Sequence, residues 1–505
     1  MKLKKLKRNV AYAAVAGALA GVGMVGSAQA VIVSPDGLGQ VLIFPYYTVR
    51  NNQTTVFSVV NTTTQSKAVK VRFLEAKNSQ EVLDFNLYLS PNDVWAASVS
   101  SNAAGAQVNV VDGSCTAPII ATVLGGTGSQ EFRNAQYSAD VTTDHGLDRT
   151  REGYIEIIEM GVVNTAFVLT GTSTFGQAIT HVSGVLTGAK CTQVTTAWAA
   201  ATLPGANSVT ANAGGLAGTA HIIGLSEGTD IAYEPIALDA WSNAGIALHQ
   251  QPGSVGPTLS DVNPKVSFVF FSGTTVGSAW GLQDVIDPVS ATLMRSALIN
   301  EYVTATDILG GTDWVVTFPT KLAHLSGLRR PFTNAFTATG SCDTVTPTVF
   351  GREEEIKGGV IDFSPSSTPT SSLCWEANVI RFGTNASADV LKSTGVSMAI
   401  SSSNIFTNGW MRLAFPSGAA VGSSGADADA NGIDDNFDVM ATQVHQMYDD
   451  AAAGAGSPAG AGFRYQGLPA VGFAVIRYSA GTTSALAGYG ASYSHKGERI
   501  ISPAP

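Results

Sequence analysis

The chain has 505 residues, a formal net charge of −10 and only 13% charged residues. Average soluble proteins carry roughly 25% charged residues, whereas this chain contains 54 glycines and is rich in threonine, serine, alanine and valine. The excess of acidic residues makes nucleic acid and anionic membrane surfaces poor partners. The composition is typical of β-rich exported proteins with long turns.

The first thirty residues have the pattern of a signal peptide. A basic segment, MKLKKLKRN, precedes an apolar stretch and the small-residue cleavage site Ala28-Gln29-Ala30. We expect the mature chain to begin at Val31, with 23 basic residues against 38 acidic ones. Because no later stretch is apolar for the length of a membrane-spanning helix, we expect no transmembrane segment in the mature chain. The expected location is the cell surface or the medium, with the periplasm as an alternative.

Three early segments alternate apolar and polar residues with the period of two that buries one face of a sheet. They are Thr54 to Asn61, Ala68 to Ala76 and Glu81 to Pro91. Asparagine, serine and proline interrupt the alternation, as expected at hairpin turns. The pattern predicts an immunoglobulin-like β-sandwich over residues 31–110.

The rest of the chain predicts further β structure with few short helices. We expect a β-rich region with a disulfide at 111–264, a boundary at Asn263-Pro264, and a second β-rich domain at 265–505. Apolar residues near one face predict a helix from Pro288 to Val303. The expected fold class is therefore mainly β.

Four cysteines in an exported chain indicate two disulfides more readily than a metal site, because no two have C-x-x-C spacing. We favour Cys115 with Cys191 and Cys342 with Cys374, since each pair closes within its own half of the chain. Each loop would stabilise the fold by about 3 to 5 kcal/mol. The two other pairings remain open.

Several segments resemble one protein family. They are FPYYTV from residue 44, VRFLEAKNSQEVLDFNLYLSP from residue 71, REGYIEIIEMG from residue 151 and TDWVVTFPTK from residue 312. The chain resembles a family of exported, functionally unassigned proteins of Gram-negative bacteria. The resemblance implies a shared fold and export, and it assigns no catalytic residue.

Local motifs give no catalytic site. The stretch GLSEG, residues 224–228, matches the G-x-S-x-G of serine hydrolases, but Pro235 interrupts the helix that should follow. Glu156 and Glu159 would point to opposite faces of a strand, and residues 353–355 read as a solvated acidic turn. No two of the seven histidines have metal-ligand spacing.

Aromatic residues offer one candidate ligand site. Tyr46 and Tyr47, beside Pro45, could stack on a sugar, whereas Trp314 and Trp375 lie in apolar segments and are expected in the core.

The acidic stretch DADANGIDDNFD, residues 427–438, places oxygen-bearing side chains at alternate positions around Gly432. Calcium takes six to eight oxygen ligands, and alternate positions of a curved loop supply them. The pattern resembles the calcium repeats of thrombospondin type 3 modules and, more loosely, dockerin and EF-hand loops. We expect calcium as the cofactor, bound by side chains of Asp427, Asp429, Asn431, Asp435 and Asp438 and by the carbonyl oxygen of Ile433.

The loop departs from the EF-hand at three points. Position 8 is Asp434 rather than apolar, position 12 is Asp438 rather than glutamate, and the residues before the loop have no helical pattern. The resemblance therefore implies ligands rather than an EF-hand fold. The alternative is a solvated acidic turn that holds no ion.

These observations predict a non-catalytic, exported, structural or adhesive protein of the cell surface, stabilised by calcium and disulfides. Its expected partners are other surface proteins or glycans, with self-assembly as a further possibility, and not nucleic acid. The alternative is a secreted carbohydrate-binding or glycan-hydrolysing protein.

Calcium should raise the melting temperature of the wild-type protein but not that of the double variant Asp427→Ala with Asp429→Ala. Extracellular calcium modules have dissociation constants of about 0.1 to 1 mM, so about 1 mM calcium contributes about 0.4 to 1.4 kcal/mol. The expected rise is about 1 to 5 °C. Scanning calorimetry in calcium and in chelator measures it, and equal responses of both proteins would leave the loop as an acidic turn.

Overall fold

The computed structural model describes most of the chain from residue 29 onward. The described residues are 29–139, 142, 144–281, 285–325, 330–332, 334–357, 363–364, 372–383, 389–417, 445–449, 462–479 and 488–503. The expected signal peptide, except for its last two residues, and the whole loop 427–438 lie outside them. The described part is mainly β, as predicted, with antiparallel sheets and four short helices.

The first sixteen strands are Ile32–Val33 (β1), Val41–Thr48 (β2), Gln53–Asn61 (β3), Lys67–Glu75 (β4), Glu81–Leu89 (β5), Val94–Ser101 (β6), Ala106–Asn109 (β7), Cys115–Ala117 (β8), Ser129–Glu131 (β9), Glu152–Val163 (β10), Val168–Thr170 (β11), Ser173–Thr174 (β12), Val209–Thr210 (β13), Leu216–Gly224 (β14), Thr229–Tyr233 (β15) and Ile236–Asp239 (β16). The helices are Phe175–Ile179 (α1), Gly188–Ala199 (α2), Asp287–Leu293 (α3) and Lys321–Leu325 (α4).

The remaining strands are Val266–Phe271 (β17), Thr274–Ala279 (β18), Met294–Arg295 (β19), Ala297–Val303 (β20), Gly311–Thr317 (β21), Asp343–Thr344 (β22), Thr346–Gly351 (β23), Ile356–Lys357 (β24), Phe363–Ser364 (β25), Ser372–Leu373 (β26), Ala377–Phe382 (β27), Ser397–Ile400 (β28), Asn408–Ala414 (β29), Gln446–Tyr448 (β30), Phe463–Gln466 (β31), Leu468–Pro469 (β32), Val471–Ser479 (β33), Gly488–Ser494 (β34), Lys496–Glu498 (β35) and Ile500–Pro503 (β36).

Two sheets form the N-terminal half. Sheet 1 has the strand order β1-β16-β2-β10-β4-β5-β8, with β13 paired to β10, and sheet 2 has the order β15-β14-β3-β6-β7-β9. The ring of Phe57 in sheet 2 lies 5.8 Å, centroid to centroid, from those of Phe44 and Phe73 in sheet 1. These edge-to-face contacts belong to a core between the two sheets, which is the arrangement of a β-sandwich.

The sandwich extends beyond the expected unit of residues 31–110. Strand β10 lies between β2 and β4, and β14 pairs with β3, so both sheets combine strands from the expected segments 31–110 and 111–264. Strand β10 is buried along nearly its whole length. Its run GYIEIIEMGVV is apolar enough for a central position with both faces covered.

The two disulfides have the predicted connectivity. Cys115, in edge strand β8, is bonded to Cys191 in helix α2. Cys342 is bonded to Cys374, at one end of the short β22–β26 pair. Each bond closes within its own half of the chain, as the sequence separation predicted.

Two further sheets enclose a second hydrophobic core. Sheet 3 has the order β24-β23-β29-β20-β35, and sheet 4 has the order β25-β28-β27-β21-β33-β34. Tyr302 of sheet 3 and Phe382 of sheet 4 stack in this core with ring centroids 4.7 Å apart. The pairing of β27 with β28 is parallel, whereas the other strand pairs in these two sheets are antiparallel.

The predicted helix from Pro288 to Val303 is correct only in its first half. Helix α3 ends at Leu293, and residues 297–303 form strand β20 between β29 and β35. Leu298 and Tyr302 then face the second core. In residues 297–303, apolar residues occur at both helical and strand spacing, so the sequence fits either structure. Hydrogen bonding to the two neighbouring strands favours the strand.

The central strands of sheet 4 are buried on both faces. In strand β21, Trp314 and Val316 enter the core shared with sheet 3, whereas Val315 between them enters the N-terminal core. On β33, the ring of Phe473 stacks on that of Tyr233 from sheet 2 at 4.5 Å. Sheet 4 therefore connects the two halves of the molecule.

Buried ion pairs cross the strands of sheet 1. The Lys67 ammonium and the Glu159 carboxylate are fully buried and 2.8 Å apart. Arg72 pairs with Glu81 at 2.7 Å and with Glu156 at 2.5 Å. The register places Glu156 opposite Arg72 and Glu159 opposite Val69, on opposite faces of the sheet. These two glutamates therefore neutralise buried cations and do not flank a common substrate.

Replacing Lys67 by methionine should lower the free energy of unfolding by about 3 to 5 kcal/mol, because it leaves the Glu159 carboxylate buried without a counter-charge. Adding Glu159→Gln should recover part of the loss, since the neutral amide removes the buried charge and keeps an acceptor for one of the two backbone N–H groups, of Ala213 and Gly214, that donate to Glu159. Urea unfolding measures both changes. The control Arg412→Met breaks a half-exposed pair with Glu498 and should cost under about 1 kcal/mol. Equal losses for Lys67→Met and the control would contradict this assignment.

Asp313 should make a contribution to the free energy of unfolding that is lost as pH rises from about 4 to 7. This carboxylate is fully buried and accepts N–H donors from Val390 and Leu391, and burial raises its pKa to about 7. Between the unfolded pKa of about 3.9 and the folded value, the folded state binds more protons, so stability is lost with rising pH. The loss should be on the order of 2 to 4 kcal/mol.

The variant Asp313→Asn should lack this part of the pH dependence, since its amide does not titrate and its oxygen still accepts both N–H groups. Urea unfolding of both proteins across this pH range provides the comparison. The same slope in both would mean that Asp313 does not titrate in the window.

Candidate ligand-binding cleft

The structure buries the tyrosine pair that the sequence suggested as a sugar platform. Tyr46 and Tyr47 lie in β2, at the centre of sheet 1, and neither is exposed. Tyr46 donates a hydrogen bond to Glu152 and Tyr47 donates one to the carbonyl of Thr150, and burial raises the pKa of both phenols. The hypothesis of a ligand site at this pair is therefore wrong.

The catalytic motifs weighed from the sequence lie in hairpin turns. Residues 225–228 of GLSEG form the turn between β14 and β15, so no helix follows the serine as a nucleophile elbow requires. Residues 353–355 form the exposed turn between β23 and β24. Trp314 is in the second core, as expected, whereas Trp375 is partly buried against the N-terminal core.

Calcium binding stays a prediction. The loop 427–438, with all six expected ligand residues, lies outside the described residues. Among the residues that the structure does describe, no group of three or more histidine, cysteine, aspartate or glutamate side chains could hold a metal ion.

A serine, a histidine and an aspartate meet in the interior. The Ser290 hydroxyl lies 2.8 Å from Nε2 of His324, and Nδ1 of His324 lies 3.6 Å from the Asp287 carboxylate. The second distance is too long for a hydrogen bond. All three residues are at most 1% exposed, and burial lowers the pKa of His324 to about 3. This cluster joins helices α3 and α4, and we assign it a structural role.

An open cleft of about 560 Å³ lies on the outer face of sheet 3. The register aligns four side chains from four strands in one row, with Ile356 opposite Phe350, Phe350 opposite Trp410, and Trp410 opposite Glu301. Residues two positions along each strand point to the same face. They add Arg352, Asn408 and Val303 as a second row.

The centre of the cleft is an aromatic pair. The rings of Phe350 and Trp410 stack nearly parallel, with centroids 3.9 Å apart and an interplanar angle of 7°. Phe350 covers one face of the Trp410 indole, so the other face is directed toward β20 and Glu301. A Cβ atom at Gly409 would clash with the carbonyl oxygen of Phe350, so glycine permits the close approach of the two strands.

Polar groups of the cleft have no partner within the described part of the chain. The side chains of Glu301, Arg352 and Glu354 make no hydrogen bond or ion pair with any described residue, and the buried Oδ1 of Asn408 accepts no hydrogen bond there. Buried polar atoms in folded proteins nearly always have a partner. The exposed side chains of Glu301, Arg352 and Glu354 are therefore accessible to a ligand, whereas Oδ1 of Asn408 is a buried atom without a partner among the described residues.

Two tyrosines flank the cleft on the side of β20. The Asn300 side-chain amide donates a 2.8 Å hydrogen bond to the carbonyl of Tyr493, which holds β34 beside β20. Burial raises the pKa of Tyr478, and the nearby Tyr493 and Glu301 raise it further. Tyr478 is therefore close enough to Glu301 for an electrostatic interaction.

The sequence contained a signal for this cleft that was not used. Strand β23 has Val349 followed by Phe350, and β29 has Trp410 followed by Met411, so large apolar residues occupy successive positions. Val349 and Met411 face the core. In a strand with one solvated face, one residue of each such pair must lie on that face, here Phe350 and Trp410, which marks a candidate surface for recognition.

The fold is mainly β, with layered sheets, and sheet 3 carries an open cleft with a stacked aromatic pair. The chain matches no protein-family model, no curated protein and no solved structure. In the part of the chain that the structure describes, no helix has the length and apolar character needed to cross a membrane.

Proposed function

We propose that this protein is an exported, non-catalytic adhesive protein of the cell surface, stabilised by disulfides and calcium, that binds glycans through the cleft on sheet 3. The observation that carries the proposal is the stacked Phe350–Trp410 pair beside polar side chains without partners. Two disulfides support export, because such bonds persist in oxidising compartments.

A glycan fits the chemistry of this surface. Sugar rings have apolar C–H faces, which pack on aromatic rings, and a rim of hydroxyl groups that donate and accept hydrogen bonds. The rings of Phe350 and Trp410 offer apolar area, while Arg352 donates, Glu301 accepts and Asn408 does both. Such a combination of apolar walls and a few polar groups is typical of small-ligand sites.

Binding without hydrolysis is favoured by the environment of the acidic residues. A glycosidase needs two carboxyl groups that flank the scissile bond, one of them in an apolar pocket so that it stays protonated. Glu301 and Glu354, which line the cleft, are both exposed to solvent. We therefore place both in ligand recognition rather than in proton transfer.

Replacing Trp410 by alanine should weaken glycan binding by about tenfold to thirtyfold, which corresponds to a central aromatic contact worth about 1.4 to 2 kcal/mol. A glycan array identifies ligands of the wild-type protein, and calorimetry compares the variants. The control is Phe270→Ala, which removes an aromatic side chain that is 68% exposed and lies on the β17–β18 hairpin instead of the cleft.

The control should bind as the wild type does, and unfolding should confirm that Trp410→Ala remains folded. Equal loss of binding in both variants, or no glycan bound by the wild type, would contradict the proposed function. Release of shortened sugars from a bound glycan would instead favour the hydrolytic alternative.

A further inference from the structure

Negative charge dominates the polar rim of the cleft. Glu301 and Glu354 line it, and Glu353 and Glu355 belong to the same exposed turn as Glu354. Among the described residues that line the cleft, Arg352 is the one cation. The whole chain adds to this field, since its formal net charge is −10.

Two neighbouring cations of sheet 3 are paired outside the cleft, whereas Lys496 of β35, opposite Ile299, is exposed on the face that carries Glu301. Arg412 forms a bidentate pair with Glu498, with N–O distances of 2.9 and 2.6 Å. Lys357 donates to the carbonyl of Ile405 at 2.9 Å and lies over the ring of Phe406. The charges of both are thus directed to partners outside the cleft, whereas Glu301 keeps its charge free.

The free face of Trp410 and the Glu301 carboxylate are cross-strand neighbours. Directly opposite residues in an antiparallel pair have Cβ atoms about 4.5 to 5.5 Å apart. A cation between them would contact the negative face of the indole and the carboxylate together. An anionic group in the same position would be repelled by both, because like charges at this range oppose one another.

We propose that the cleft selects glycans that carry free, protonated amino groups, such as oligomers of de-N-acetylated amino sugars, over neutral and acidic glycans. The inference rests on the proposed glycan-binding function and adds the charge of the ligand. The Trp410 indole and the Glu301 carboxylate would bind the ammonium group, and the aromatic pair would contact the apolar face of the sugar ring.

The test compares three hexasaccharides by calorimetry at low salt: β-1,4-linked glucosamine, its fully N-acetylated form and a uronic acid oligomer. At a pH below the pKa of the sugar amine, the glucosamine oligomer should bind about tenfold more tightly than its acetylated form, and the uronic acid oligomer should bind weakest. Raising the pH above that pKa, or adding salt, should reduce the difference.

The isosteric variant Glu301→Gln should lose most of the preference for the amine while still binding the acetylated oligomer. Its matched control is Glu353→Gln, which removes the same charge from the neighbouring turn without changing a residue that lines the cleft. The control should keep the preference. If both variants lose it equally, overall charge determines binding and the assignment to Glu301 is wrong.

The outcomes separate this inference from the proposed function. Equal affinity for the two glucosamine forms, or tighter binding of the uronic acid oligomer, would overturn the preference for amines while leaving glycan binding intact. The same conclusion would follow if glycans bound through Trp410 on the array were all neutral or acidic. No glycan bound at all would overturn both.

Discussion

The central strands of sheet 4 are buried on both faces, and alternate side chains of β21 enter different hydrophobic cores. Trp314 and Val316 pack toward sheet 3, while Val315 packs toward the N-terminal sandwich. A sheet in this position leaves no polar face for solvent, so its strands must be almost continuously apolar. The run TDWVVTF meets that requirement, and every residue of β21 is buried. The two halves of the molecule consequently share one hydrophobic core, which is lined by sheet 4 on one side.

This layering determines where a ligand can bind. In sheet 1, polar side chains such as Lys67 and Glu159 form buried ion pairs with each other. The central strands of sheet 4 are covered by a hydrophobic core on each side. The outer face of sheet 3 is different, since it presents stacked aromatic rings together with charged groups that have no partner in the described chain. Apolar surface of this kind costs free energy in water unless a ligand covers it. We therefore assign the proposed glycan recognition to this cleft.

The features that depend on residues close together in the sequence, such as the early strands and turns, were predicted correctly. Period-two alternation located β3, β4 and β5, and sequence separation chose the pairing of Cys115 with Cys191. The errors arose where distant strands decide burial. Tyr46 is buried, and its hydroxyl donates to Glu152, which lies 106 residues later in the chain. The cleft likewise depends on the register between Phe350 and Trp410, which are sixty residues apart, and a single sequence does not reveal such a register.

The disulfides also limit how far the chain can lengthen under mechanical load. The bonds join cysteines separated by 76 and 32 residues, and a pulling force on the chain ends cannot straighten the segments enclosed by those loops. At about 3.4 Å per residue, the two loops withhold roughly 350 Å of contour length. If such a protein is anchored at a surface, each unfolding event under shear flow would release less chain length, because the flow could extend only the chain outside the disulfide-closed loops.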